Sequence, residues 1–309
     1  MDLSDYLREL ADGSVRLQVA SLQRLSQLPP DGQREFAKAW PGIDARRRRR
    51  IVQELVGLAE DNVELDFDAV FVCGLTDDDP DIRLESIRGL WEHEGTDIIG
   101  PMLNMLEFDE DAGVRGEAAL ALGRFVVLAA EGKLRERYFP PIEEGLRRAI
   151  RDTEEVQEVR ARALEAAGAH NGAWVRQAIS EAYESDVRRL KVSAVHAMSR
   201  SCEDRWLPLI FKELGSDEAE LRYEAATACG GLGDERAIPP LIKLIVDPDE
   251  EVKEAAIHAL GEIGGRQARE ALLVLLDSES DAARDAATEA LAQLDFEQDP
   301  LSFRQRFQG

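Results

Sequence analysis

Much that marks a catalytic or membrane protein is scarce in this chain. Its 309 residues include four histidines, three cysteines and 6% aromatics. Cys73, Cys202 and Cys229 form no CxxC pair, which argues against a disulfide framework. Their apolar or small neighbours predict buried core thiols. No apolar stretch reaches about 18 residues, and Met1 to Leu10 lacks a basic n-region. Neither a membrane span nor a signal peptide is therefore expected, and the chain reads as cytoplasmic. Basic residues are outnumbered, 38 Lys and Arg against 62 Asp and Glu, for a net charge of −24. Such a surface repels phosphate backbones, so nucleic acid is not an expected partner, whereas a basic protein is. There is no HExxH, GxSxG, Walker-type loop or GxGxxG after a strand. No catalytic residue, cofactor or metal is expected.

What is present is a period. Leu190-Lys191, Leu221-Arg222, Val252-Lys253 and Ala283-Arg284 begin one thirteen-residue phrase at steps of 31 residues. Further copies begin at Ile82-Arg83, Val114-Arg115 and Val159-Arg160, and weaker ones at Val15-Arg16 and Ala45-Arg46. A fixed period in this range is the mark of stacked repeats. An acidic or hydroxyl residue stands six before each strong basic one, as at Asp77, Asp109, Ser216, Asp247 and Ser278. Its side chain is expected to cap the helix that follows. Apolar residues three to four apart, Ala at the tightest places, and Gly123, Gly168, Gly230 and Gly261 then predict helices in close contact. Proline opens the other helix, as at Pro101, Pro208 and Pro239. The expected fold is all-α, an α-α superhelix of about nine two-helix repeats: a degenerate stretch over 1–75, regular repeats over 76–294 with an insertion near 124–138, and a tail over 295–309.

The Asp-x-Asp-x-x-Val-Arg pattern at 77–83 and 247–253, with Ala-Leu-Gly at 121–123 and 259–261, resembles the HEAT repeat, especially the short bacterial form also seen in phycobilin-lyase-like proteins. The resemblance implies a HEAT-type solenoid and is nearly silent about activity. Deoxyhypusine hydroxylase, an iron enzyme of this class, carries His-Glu directly after the basic position. Here those places read Leu84-Glu85, Gly116-Glu117 and Tyr223-Glu224, and no repeat has a histidine there. HEAT-like DNA glycosylases have basic concave faces, which this composition lacks. His196 and His258 stand two repeats apart, roughly 20 Å by helix spacing, too far to share a metal.

The basic residues should form a file roughly 10 Å apart, alternating with acids and stitching repeat to repeat. Arg46 to Arg50 would spread over every face of a helix. A solvated helix is expected there; an anion dock and a clamp on neighbouring acidic repeats are the alternatives. Positions one and five after the ladder residue are expected to face outward and line the concave side, where solenoids commonly bind. Arg88, Trp91, Leu120, His196, Tyr223 and His258 on that side, with Phe303 and Phe307 in the tail, form the candidate protein-binding set. Trp91 could instead fill a gap between repeats, and the tail could cap the last repeat or dock a partner. The expected function is a non-catalytic scaffold for a basic or extended protein segment; the alternative is a phycobilin-lyase-like or other HEAT-repeat enzyme.

Overall fold

The computed structural model describes residues 2–298; Phe303, Phe307 and the tail reading built on them lie outside the described residues. Seventeen α-helices and six short 3-10 helices make up the fold, with no strand among the described residues. The chain divides into two compact units, Met1–Ala166 and Ala167–Gly309. In the N-terminal unit a helix at Leu3–Ala11 and a 3-10 segment at Val19–Leu25 precede four helix pairs. These are Pro30–Ala39 with Ala45–Asp61, Asp68–Gly74 with Pro80–Gly89, Ile99–Phe108 with Ala112–Ala130, and Phe139–Arg151 with Gln157–Ala167, which ends at the division. The C-terminal unit holds Ala173–Tyr183 with Arg188–Arg200, Leu207–Glu213 with Ala219–Leu232, Ile238–Leu244 with Glu250–Ile263, and Gly265–Leu275 with Asp281–Gln298. The repeated phrase is the second helix of each pair.

The helices start where side chains cap them, but not where the sequence pattern suggests. Asp79, Asp111 and Asp249, four before the ladder residue, are the N-caps and accept from backbone N–H groups of the first turn. The residue six before instead accepts the N–H of that cap, as Asp77, Asp109 and Asp247 do at 3.0 Å. The expected cap is thus two residues too early. Prolines stand in first turns, where a missing donor costs little, at Pro80 and Pro208. Helix Ala219–Leu232 stops at Gly233, whose φ of +66 suits a residue without Cβ. Residues 124–138 prolong helix Ala112–Ala130, then turn through a 3-10 segment at Glu136–Tyr138.

In the C-terminal unit the phrase helices pack chiefly on one another, whereas in the N-terminal unit Ala112–Ala130 packs most on its pair partner Ile99–Phe108. Ala118, Ala163, Ala194, Ala225, Ala256 and Ala287, three after each ladder residue, are fully buried. Gly123, Gly168, Gly230 and Gly261, eight after it, lie against the backbone of Ala166, Ala197, Ala259 and Ala290 respectively. A Cβ on any of these glycines would come about 3 Å from a neighbouring Cα. The period therefore encodes a glycine of one helix seated on an alanine of the next. Bulkier packing belongs to the N-terminal unit, where Phe36 tilts on Trp40 at 5.2 Å and Phe67 meets Phe71 edge-on at 6.4 Å. Among the cysteines only Cys229 is fully buried; Cys202, expected in the core, is exposed in a turn with φ of +49.

Candidate functional site

The ladder sets the frame. Arg83 forks onto Asp109 through Nε and Nη2 at 2.8 and 2.7 Å, while its Nη1 donates to the Asp77 carbonyl. Arg115 grips Glu155 and the Asp109 carbonyl in the same way, and Arg222 grips Asp247 and the Ser216 carbonyl. Each guanidinium thus ties its own turn to the next repeat. Burial pushes the Asp247 carboxyl up, but the Arg222 hydrogen bonds and the Asp249 N–H outweigh it and hold the group below the usual carboxylate range. Glu155 is held down likewise by Arg115 against burial. These side chains are spent on the frame, their guanidinium groups held by a carboxylate of the next repeat and a carbonyl of their own turn.

The run Arg46 to Arg50 belongs to the same frame, and the expected solvated helix is corrected to a clamp. Arg47 donates to the Val15 carbonyl, and Arg48 to the Ile43 carbonyl and the nearly buried Asp77. Arg49 pairs with Asp79 and Asp81. Only Arg46 and Arg50 are exposed. Arg48 stands four after the N-cap Asp44, so it, not Arg46, is the ladder residue of this repeat. Degenerate sequence around it had shifted the register by two residues.

Positions five after the ladder do reach solvent: Arg88, Leu120, Thr227 and His258 are exposed and His196 is half-buried. Positions one after it do not all do so. Ala161 and Val192 are buried, as is Gly116, which the Arg162 stem covers. Among the described residues the row is exposed at Tyr223, Glu254 and Asp285. In the N-terminal unit Arg88 is drawn to Glu85 and Glu117. Trp91 is 60% exposed and fills no gap. Helix Pro80–Gly89 ends before it, and Arg124 donates to the carbonyls of Leu90 and Trp91 at 2.6 Å each.

In the C-terminal unit Tyr223 and His258 come together. They line a groove of about 630 Å³ between helices Ala219–Leu232 and Glu250–Ile263, with Thr227, Glu251, Glu254 and Glu262. No cationic side chain pairs with these three carboxylates among the described residues. His196 lies one repeat earlier, its Nδ1 3.4 Å from Glu224. Glu251 and Glu262 were not among the residues singled out from sequence. They stand two before and nine after Lys253, and the helical step puts them with the row at Glu254 and His258. Among the described residues no group of three His, Cys, Asp or Glu side chains is arranged to hold a metal ion, and no helix is long and apolar enough to cross a membrane.

Residues 69–148 and 207–292, together more than half of the chain, match the sequence profile of HEAT repeats. No curated protein matches the chain. Among solved structures, the complex of CpcE and CpcF of phycocyanin lyase from Nostoc sp. PCC7120 is similar at 18% identity and a TM-score of 0.53, covering 92% of this chain and 96% of that one. Human deoxyhypusine hydroxylase in complex with glycerol is similar at 18% identity and a TM-score of 0.32, covering 95% of this chain and 96% of the other. At such identities the likeness to the phycocyanin lyase complex is one of fold, all-α and of HEAT solenoid type. That fold supports protein interaction in general.

Proposed function

The chain belongs to the HEAT-repeat family, and from that premise we propose that it is a non-catalytic scaffold for a basic, extended segment of a partner protein. The observation behind this reading is the groove of the C-terminal unit. Its carboxylates at Glu251, Glu254 and Glu262 stand beside Tyr223 and His258, with no Lys or Arg paired to them among the described residues. An extended peptide can lay alternate side chains along such a row, with cationic tips on the carboxylates and stems on the Tyr223 ring. Three free cysteines suit a reducing compartment, hence the cytoplasm.

Fluorescence anisotropy with a labelled Lys/Arg-rich peptide and its Glu-substituted counterpart tests the reading. The basic peptide should bind, weaken as salt is raised, and lose at least about tenfold in affinity on the Glu251→Lys/Glu254→Lys double change, because like charges then face each other. Equal binding of both peptides, or no loss in the double variant, would sink it. Covalent transfer of a linear tetrapyrrole to an acceptor protein would overturn the non-catalytic part and favour the lyase-like alternative.

A further inference from the structure

The N-terminal unit carries a second concavity that the scaffold reading does not use. It is a pocket of about 840 Å³ lined by residues of helices Pro30–Ala39, Ala45–Asp61 and Asp68–Gly74, of the turns after the first and third of these, and of the segment after helix Pro80–Gly89. Ligand pockets commonly occupy about 300–1,000 Å³ with mostly apolar walls and a few polar groups that fix orientation. The walls here fit that description: Ala37, Pro41, Ala69 and Val72 give an apolar surface. One side is rigid. Trp40 Nε1 donates to Asp77 at 2.7 Å, and Arg48 meets the same carboxylate at 2.8 Å, so this cation and this anion are both consumed.

The remaining polar groups have one predominant sign. His93 is held between Asp68, 2.5 Å from Nδ1, and Asp97, 3.1 Å from Nε2. Asp78 is exposed at the rim, with no hydrogen bond or ion pair among the described residues. Arg34 is occupied by Asp31. Even with His93 protonated, the carboxylates of Asp68, Asp78 and Asp97 outnumber the cation among them. Cys73 also lines the pocket, but burial pushes its thiol up to about 11, so it is no ready nucleophile. The pocket suits binding rather than covalent chemistry.

We propose that this pocket binds a compact organic cation, an amidine or amine on an apolar frame, with its body against Ala69 and Val72 and its charge toward Asp78 and Asp97. The occupant is a small molecule, because the concavity, at about 840 Å³, holds a body of that size. This site is separate from the groove at Tyr223 and His258, and neither proposal needs the other.

The test is calorimetric titration of the full chain with benzamidine and with its uncharged counterpart benzamide. Benzamidine should bind at one saturable site and benzamide at least about tenfold more weakly. Asp78→Asn/Asp97→Asn should weaken benzamidine by about tenfold or more, and Ala69→Trp should abolish it by filling the space. Circular dichroism and thermal melting of the variants separate loss of the site from loss of the fold, and the exposed Asp78 also serves alone as Asp78→Asn. Glu254→Lys, in the other groove, should leave benzamidine affinity unchanged. The proposal is overturned if benzamidine does not saturate, if benzamide binds equally well, or if the folded double variant binds as the parent does.

Discussion

The two units use the same ladder position differently. In the N-terminal unit Arg48, Arg83 and Arg115 each end on a carboxylate of the next repeat, at Asp77, Asp109 and Glu155. In the C-terminal unit, among the described residues, only Arg222 forks in this way, onto Asp247. Lys191 touches Glu213 as a point charge at 3.3 Å, and Lys253 turns back to Glu250 of its own helix. The residue six before the next phrase explains the split. Asp stands there after Arg48, Arg83 and Arg222; Ser216 and Ser278 stand there after Lys191 and Lys253. A guanidinium matches a carboxylate with two parallel bonds, whereas an ammonium has no fork to match. Arg48, Arg83 and Arg222 are thus followed by Asp and Lys191 and Lys253 by Ser, while Arg115 reaches Glu155, five before the next ladder residue, and Arg160, followed by Ser185, donates to the Ile150 carbonyl.

The most damaging single change should fall on the most buried rung. Asp77 accepts from Arg48, from Trp40 and from the Asp79 N–H, and its side chain is only 3% exposed. Arg48→Met would leave that charge uncompensated, at a cost of about 3–5 kcal/mol. Amide hydrogen exchange reads opening of the two units separately, and the loss should be confined to the N-terminal one. Adding Asp77→Asn should restore much of it; no recovery would mean that the guanidinium acts through packing alone.

The C-terminal fork comes next. Asp247→Asn removes a carboxylate that accepts both Arg222 bonds, worth about 1.5–3 kcal/mol near neutral pH. Because the folded-state pKa of Asp247 lies below its ordinary 3.8, this stabilisation is fully present above that value and is lost as pH falls through the depressed one. Urea melts against pH should therefore separate parent from variant at pH 7 and bring them together in strong acid. A gap that persists unchanged into acid would rule out the ion pair as its source.

The repeat, the helix pairs and the alanine and glycine contacts follow from the period, because neighbouring repeats must present matching small residues at the same step. The cap was misplaced because Asp77 and Asp79 are both short acids, and only geometry separates an N-cap from the residue that braces it. The Arg48 register was hidden because five arginines in a row leave the pattern without a unique fit. Gly116, Ala161 and Val192 seemed outward because helical spacing fixes a direction and not what lies over it; Arg162 lies over Gly116. The binding roles proposed for Arg88, Trp91, Leu120, His196, Tyr223 and His258 go beyond what any sequence spacing carries. The pocket at His93 joins residues from 30 to 97, too far apart in sequence for any local motif to announce it.

A smaller effect tests the alanine file. Ser86 occupies the place of Ala118 and Ala163, is fully buried, and its Oγ has no hydrogen-bond partner among the described residues. Ser86→Ala removes an unsatisfied hydroxyl and should raise stability by about 1 kcal/mol. A lower melting temperature would indicate a partner for that hydroxyl.

The smallest expected effect bears most directly on the contrast between the units. If rung chemistry is set by the pair and not by either residue, a C-terminal rung can be converted into the N-terminal kind. Ser278 already braces the cap of its helix, accepting the Ser280 N–H, as Asp77, Asp109 and Asp247 do in theirs. An aspartate fits that place without new backbone geometry. Lys253→Arg alone gains a fork with no carboxylate to meet, and Ser278→Asp alone gains a carboxylate facing an ammonium. Together they rebuild the Arg222–Asp247 arrangement one repeat later. The double-mutant cycle should give a favourable coupling of about 0.5–1 kcal/mol, as for a partly exposed bidentate pair, with singles close to neutral. Additivity within about 0.3 kcal/mol would mean that the match of Arg to Asp and Lys to Ser carries no energy. The units would then differ in their ladders by sequence alone.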